Sequence, residues 1–166
     1  HAEAESDARV AVEYSERIAA NKDDALRELP HLSEEFFNDW VLRSREVLGR
    51  VLQRQGRLVE AEAEYRRAMR HALGLYGRDS LQVASISILL SQNLAEQRRF
   101  LEARRLSATS LGIYERYGIS KGSRHVASGR LLEALAALQE RDEAATIAAL
   151  DQAAAVFADD PEERFR

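Results

Sequence analysis

Apolar residues return along this chain at intervals of three and four. Val47, Leu48, Val51 and Leu52 follow that spacing, as do Leu90, Leu94 and Leu101, and then Leu131, Leu132, Leu135 and Leu138. This is the signature of one buried helix face, and no useful window alternates as a half-buried strand would. Only Pro30 and Pro161 could interrupt helices by ring geometry, so the pattern predicts an all-α protein. Near the start, Val10, Val12, Tyr14 and Ile18 predict a helix from about Ser6, and a second follows Asn21-Lys22 until Pro30 ends it. Ser33 is a candidate N-cap for the next helix, with Leu32 and Phe37 at hydrophobic-staple spacing.

Laid against itself, the chain repeats. Gly56-Arg57-Leu58-Val59-Glu60-Ala61-Glu62 returns as Arg98-Arg99-Phe100-Leu101-Glu102-Ala103-Arg104, 42 residues on, and Arg141-Asp142-Glu143-Ala144 gives a third copy after 41 more. In that register Leu48 falls on Leu90 and Leu131, and Leu52 on Leu94 and Leu135. Each unit reads as a helix, a short polar turn and a second helix whose early Glu-Ala pair sets an acid near the positive end of the helix dipole. The neighbouring alanine lets the two helices approach closely. Gly77 and Gly118 are placed to close the second helices, where glycine tolerates a positive φ.

The pattern Leu48-Gly49, Leu52, Gly56, Ala61, Tyr65 and Ala68 resembles the tetratricopeptide repeat. The later copies depart from it, with Ser91 in place of the glycine, Ser107 in place of the aromatic and Arg98 in place of the turn glycine. The 42-residue spacing is similar to that of kinesin-light-chain repeats. The runs Gly56 to Tyr65 and Leu75-Tyr76-Gly77-Arg78-Asp79-Ser80-Leu81 resemble arrays that precede caspase-like CHAT domains in bacterial proteins. The resemblance implies an α-solenoid of antiparallel hairpins. Its expected organisation is a degenerate capping hairpin over residues 1–42, repeats at about 43–78, 84–119 and 124–157, and a frayed tail at 158–166.

Composition narrows the chemistry. The 166 residues are 45% apolar and 31% charged, with no stretch near the ~18 apolar residues of a membrane span. Without cysteine there is no disulfide, thiolate metal site or cysteine nucleophile, and the compartment stays open, with a slight preference for the cytoplasm. His1, His31, His71 and His125 have no metal-ligand spacing, and no phosphate-cradling glycine motif occurs, so no cofactor is expected. His71, Asp79 and Ser80 hold the letters of a triad, but no nucleophile elbow accompanies them, and Ser85, Ser87 and Ser91 read as packing positions on a repeat helix. The expectation is therefore a non-enzyme. Phe36, Phe37 and Trp40 read as junction packing, and Tyr65, Tyr76, Tyr114 and Tyr117 as packing between hairpins.

Charge changes the picture more than any motif. The net −4 resolves into −7 over residues 1–40, +4 over 41–72, +2 over 73–120 and −3 over 121–166. Nearly all the basic residues are arginine, suited to bidentate recognition of carboxylates, while the acidic flanks disfavour nucleic acid. The groove positions that the repeat resemblance implies fall on Arg43, Glu46, Arg50, Gln53 and Arg54 in copy one. In copy two they fall on Ser85, Ile88, Gln92 and Glu96, and in copy three on Val126, Gly129 and Glu133. Glu46 and Arg50 stand where chaperone-binding relatives carry clamp residues, which excludes that specific ligand. The expected function is binding of a protein or peptide partner, an acidic one, as the regulatory part of a larger bacterial protein. The alternative is a homodimeric scaffold joined through Ala153, Val156 and Phe157 of the last hairpin.

Overall fold

The computed structural model describes residues 2–29, 31–119 and 124–158. They form α1 (Ala2–Ala20), α2 (Lys22–Glu28), α3 (Glu34–Arg54), α4 (Leu58–Tyr76), α5 (Leu81–Glu96), α6 (Phe100–Arg116), α7 (Arg124–Gln139) and α8 (Glu143–Ala158), with no strand among the described residues. The all-α class predicted from periodicity is the observed one. Helix α1 starts at Ala2 rather than near Ser6, its added turn carrying Glu5, which pairs with Arg9 and Arg57, and its buried face holds Ala8, Val12 and Ser15. Helix α3 begins as capping chemistry requires, with the Ser33 hydroxyl accepting from the Phe36 N–H at 3.2 Å. Two compact units are present, residues 1–75 and 76–166.

In the first unit, Phe37, Val41, Leu42, Leu48 and Leu52 of α3 meet Ala61, Tyr65, Ala68 and Ala72 of α4 and Ala8 and Val12 of α1 in the core. Tyr65 is fully enclosed, and its ring lies where a side chain at Gly49 would stand, 2.5 Å from the place of a Cβ. Glycine is therefore required at 49 by close approach. The Tyr65 hydroxyl donates to Gln53 Oε1 at 3.1 Å, which satisfies its polar end. Ion pairs fasten α1 to this hairpin. Arg45 bonds Glu16 of α1 and, at 2.6 Å, Glu64 of α4, while Arg57 reaches Glu5 of α1 at 2.6 Å.

In the second unit, α5 is buried on several sides through Val83, Ala84, Ile86, Ile88, Leu90 and Leu94. Its buried serines are satisfied locally: Ser87 donates to the Val83 carbonyl and Ser91 to the Ile88 carbonyl, each at 2.8 Å. Ser110 of α6 crosses to the Ala84 carbonyl at 2.8 Å and ties the hairpin. Where α7 meets α6, Gly129 leaves room for Leu111, whose Cδ2 would lie 2.9 Å from a Cβ there.

The turns fix the repeat register. Gly56, Arg98 and Arg141 all adopt positive φ, at 77°, 62° and 59°. The following N–H groups bond in the same way in each turn, Arg57 to the Leu52 carbonyl, Arg99 to Leu94 and Asp142 to Ala137. Burial agrees, since Ala68, Ser110 and Ala153 are all enclosed. The second and third copies are thus offset by 42 and then 43 residues, not 42 and then 41. Leu131 and Leu135, expected in line with Leu48 and Leu52, are instead 41% and 45% exposed, while Leu132, Ala134, Ala136 and Ala137 are buried. The physical reason lies in the spacing of the left-handed residues, since Arg141 follows Gly118 at a greater distance along the chain than Arg98 follows Gly77. Two further expectations change: Tyr117 is exposed rather than packed, and Ala153 is buried rather than free for a second copy. The side chains of Val156 and Phe157 lie outside the described residues.

Candidate functional site

Helix α3 buries one face and turns the other outward, so residues three, four and seven apart share the outer face. Arg43, Glu46, Arg50 and Arg54 fall there by number alone, and Gln53 borders them. Arg43 Nε bonds Asp39 Oδ2 at 3.2 Å and remains largely in solvent. Gln53 is half-buried and engaged by Tyr65. Glu46 is half-buried too, and loss of solvation holds its carboxyl above the ordinary carboxylate range, partly countered by the positive charges of Arg50 and Arg43. Arg50 and Arg54 are exposed, and among the described residues neither has a hydrogen bond or an ion pair.

That condition is unusual in this unit. Arg9, Arg27, Arg45, Arg57, Arg66 and Arg67 each hold a carboxylate, and Arg17 lies 5.2 Å from the centre of the Tyr14 ring. Arg57 is so placed between Glu60 and Glu5 that it keeps both carboxyls below their ordinary range. Of the other arginines in the unit only Arg70, on α4, is likewise without a partner. Two like charges one turn apart cost a helix a few tenths of a kcal/mol. Arg50 and Arg54 therefore form an exposed cationic pair with no hydrogen bond or ion pair, Arg50 being faced by the half-buried Glu46.

The second unit distributes its expected site residues differently. Ile88 is 2% exposed and belongs to the packing of α5, Gln92 is half-buried, and Glu96 is exposed. Glu133 is half-buried and accepts from Arg130 Nη1 at 2.7 Å. Val126 and Gly129 are buried, Gly129 against Leu111. With the register set by the turns, the α7 positions equivalent to Ile88 and Gln92 are Leu131 and Leu135, both partly exposed. Sequence reasoning missed these two. The signal that could have found them was the alignment of Arg141-Asp142 with Arg98-Arg99 as the turn itself.

The remaining chemical candidates have structural employment. The Ser80 hydroxyl caps α5, accepting from the Val83 N–H at 3.3 Å and donating to the Gly77 carbonyl at 3.0 Å, and Asp79 pairs with Arg116 at 2.5 Å. His71 Nε2 lies 3.3 Å from the Asn38 carbonyl. His1 and the His125 side chain lie outside the described residues. Phe37 is core, whereas Phe36 is 48% exposed and Trp40 half-buried, stacked edge-on by Tyr14 at 5.6 Å. Among the described residues no three His, Asp or Glu side chains are grouped to hold a metal ion, and no helix is long and apolar enough to cross a membrane.

Residues 40–116 match the family described as tetratricopeptide repeat. The crystal structure of BtubC (BKLC) from P. vanneervenii is similar, with a TM-score of 0.63 at 19% identity over 93% of this chain and 72% of that one. At that identity the likeness concerns the fold alone. No curated protein sequence matches this chain.

Proposed function

We propose that this chain binds an acidic peptide segment of a protein partner on the outer face of α3, a reading supported by the match of residues 40–116 to the tetratricopeptide repeat, a family that generally mediates protein–protein interaction and typically serves as a non-catalytic scaffold. The observation that carries the reading is the exposed pair Arg50 and Arg54, without a hydrogen bond or ion pair in a unit whose other arginines are nearly all engaged. Guanidinium groups left in water keep their donors free for bidentate contact with ligand carboxylates. Arg43, Glu46 and Gln53 border the pair. Glu46 limits the ligand, because an acidic residue placed against it would be repelled. A role as the regulatory part of a larger bacterial protein is consistent with this reading.

The test is an array of peptides graded from acidic to basic, probed with the chain and with the double charge reversal Arg50→Glu, Arg54→Glu. The native chain is expected to retain acidic peptides, more weakly as salt rises, and the reversed chain to lose them by at least tenfold. Equal retention by both chains would sink the assignment.

A further inference from the structure

The first unit carries a strip of aromatic rings that its core does not enclose. Tyr14 of α1 meets Trp40 of α3 edge-on with ring centres 5.6 Å apart, and Phe36 stands 6.3 Å from Trp40. Phe36 is 48% exposed, Tyr14 44% and Trp40 half-buried, whereas Phe37 and Tyr65 of the same unit are enclosed. Val10, one turn before Tyr14, is 61% exposed and extends the apolar strip along α1. An exposed apolar and aromatic strip rimmed by polar groups marks an interaction surface.

The free charge beside the strip is of one sign. Glu3 and Asp7 lie on the face of α1 that carries Val10 and Tyr14, the four being spaced by four, three and four residues, and Glu35 precedes Phe36. All three carboxylates are exposed, and among the described residues none has a hydrogen bond or an ion pair. The basic residues nearby are engaged, Arg9 with Glu5, Lys22 with Glu34 and Arg43 with Asp39. Arg17, which holds no carboxylate among the described residues, places its guanidinium 5.2 Å from the centre of the Tyr14 ring. The chain thus draws one cation of its own onto this surface.

We propose that this strip docks a basic segment of a protein partner, whose arginine or lysine side chains lie over the exposed rings and pair with Glu3, Asp7 and Glu35. Charge complementarity chooses the occupant, because ring faces and unpartnered carboxylates both attract a cation and both repel an acidic segment. Residues 1–40, with a net charge of −7, act in the same direction. The surface takes from the preceding reading only that partners are proteins, and it uses neither Arg50 nor Arg54.

Trp40 is the only tryptophan, so its fluorescence reports on this strip alone. The experiment titrates the full chain with a blocked peptide in which leucine pairs alternate with arginine pairs, and with the counterpart that carries glutamate in place of arginine. A saturable change in Trp40 emission is expected from the arginine peptide, weakening as salt rises, and none from the glutamate peptide. Phe36→Ser is expected to weaken binding about tenfold, and Glu3→Gln with Asp7→Asn, which leaves the rings and the core in place, about threefold. The Arg50→Gln, Arg54→Gln chain is expected to bind the arginine peptide like the native one, so failure of the acidic-peptide reading leaves this result standing. No saturable change, an equal response to the glutamate peptide, or unchanged affinity in both the Phe36 and the carboxylate variants would overturn the proposal. So would a change in Trp40 emission with chain concentration in the absence of peptide, which would assign the strip to a second copy of the chain.

Discussion

Glu46 sits half out of water beside two guanidinium groups, and the two influences on its carboxyl oppose each other. Burial disfavours the charged form, Arg50 and Arg43 favour it, and burial prevails. A carboxyl held above its ordinary value binds its proton more tightly folded than unfolded. Its favourable contribution is complete below the unfolded value near 4.5 and is lost as pH rises through the folded value. Ionised Glu46 at neutral pH is thus a cost to the fold. Glu46→Gln is expected to raise the urea midpoint at pH 7 and to remove part of the stability loss between acid and neutral pH. A lower midpoint at pH 7 would show that the arginines, not burial, govern this carboxyl. At this scale the site was partly legible. The repeat resemblance singled out Arg43, Glu46, Arg50 and Arg54 of α3, and there Arg43, Arg50 and Arg54 are exposed and Glu46 half-buried. The helical period could not place Ile88, because α5 is apolar or small nearly all round and presents no single stripe to read.

At the level of the helical hairpin, the turn decides the register. One left-handed residue ends each first helix, and glycine occupies it without strain only in the first hairpin, at Gly56. Arg98 and Arg141 adopt the same conformation with a Cβ, which costs on the order of 1 kcal/mol each. Nothing lies within 4 Å of the Cβ position at Gly56, so the turn is open to a side chain and the cost is one of backbone conformation. Arg98→Gly and Arg141→Gly are each expected to stabilise the chain by about 0.5–1 kcal/mol, part of the relief being offset by glycine's greater freedom when unfolded. Gly56→Arg should destabilise by a similar amount, and equilibrium urea unfolding reads all three. Arginine at a left-handed turn also explains why the third copy was misaligned from sequence. The Glu-Ala pair at 143–144 matches that at 102–103 by letters, but matching letters do not share a backbone position here. The leucines of α7 gave no correction, since Leu131, Leu135 and Leu138 share one face and that face is the exposed one.

Over the whole chain, the two compact units make stability a sum of local terms, because each buries apolar side chains of its own. Each compact unit has a core of its own: Phe37, Leu52 and Tyr65 in the first, Ile86, Leu94 and Ile113 in the second. The ion pairs that fasten α1 through Arg45 and Arg57 fall wholly within the first unit, and the Ser110 tie and the Arg104 pair with Glu140 fall wholly within the second. A cut after Gly77, an exposed left-handed residue, removes none of these contacts. Fragments 1–77 and 78–166 are therefore each expected to show a helical circular-dichroism spectrum and a sigmoidal urea transition. Each should have an m-value well below that of the full chain, since m follows the surface exposed on unfolding. Pieces of this size have little margin, so their midpoints should fall below that of the intact protein. A fragment with helical signal but no cooperative transition would mean that its core, although enclosed in the structure, cannot hold its hairpins without the rest of the chain. The division into units would then describe where residues lie but not how the protein unfolds.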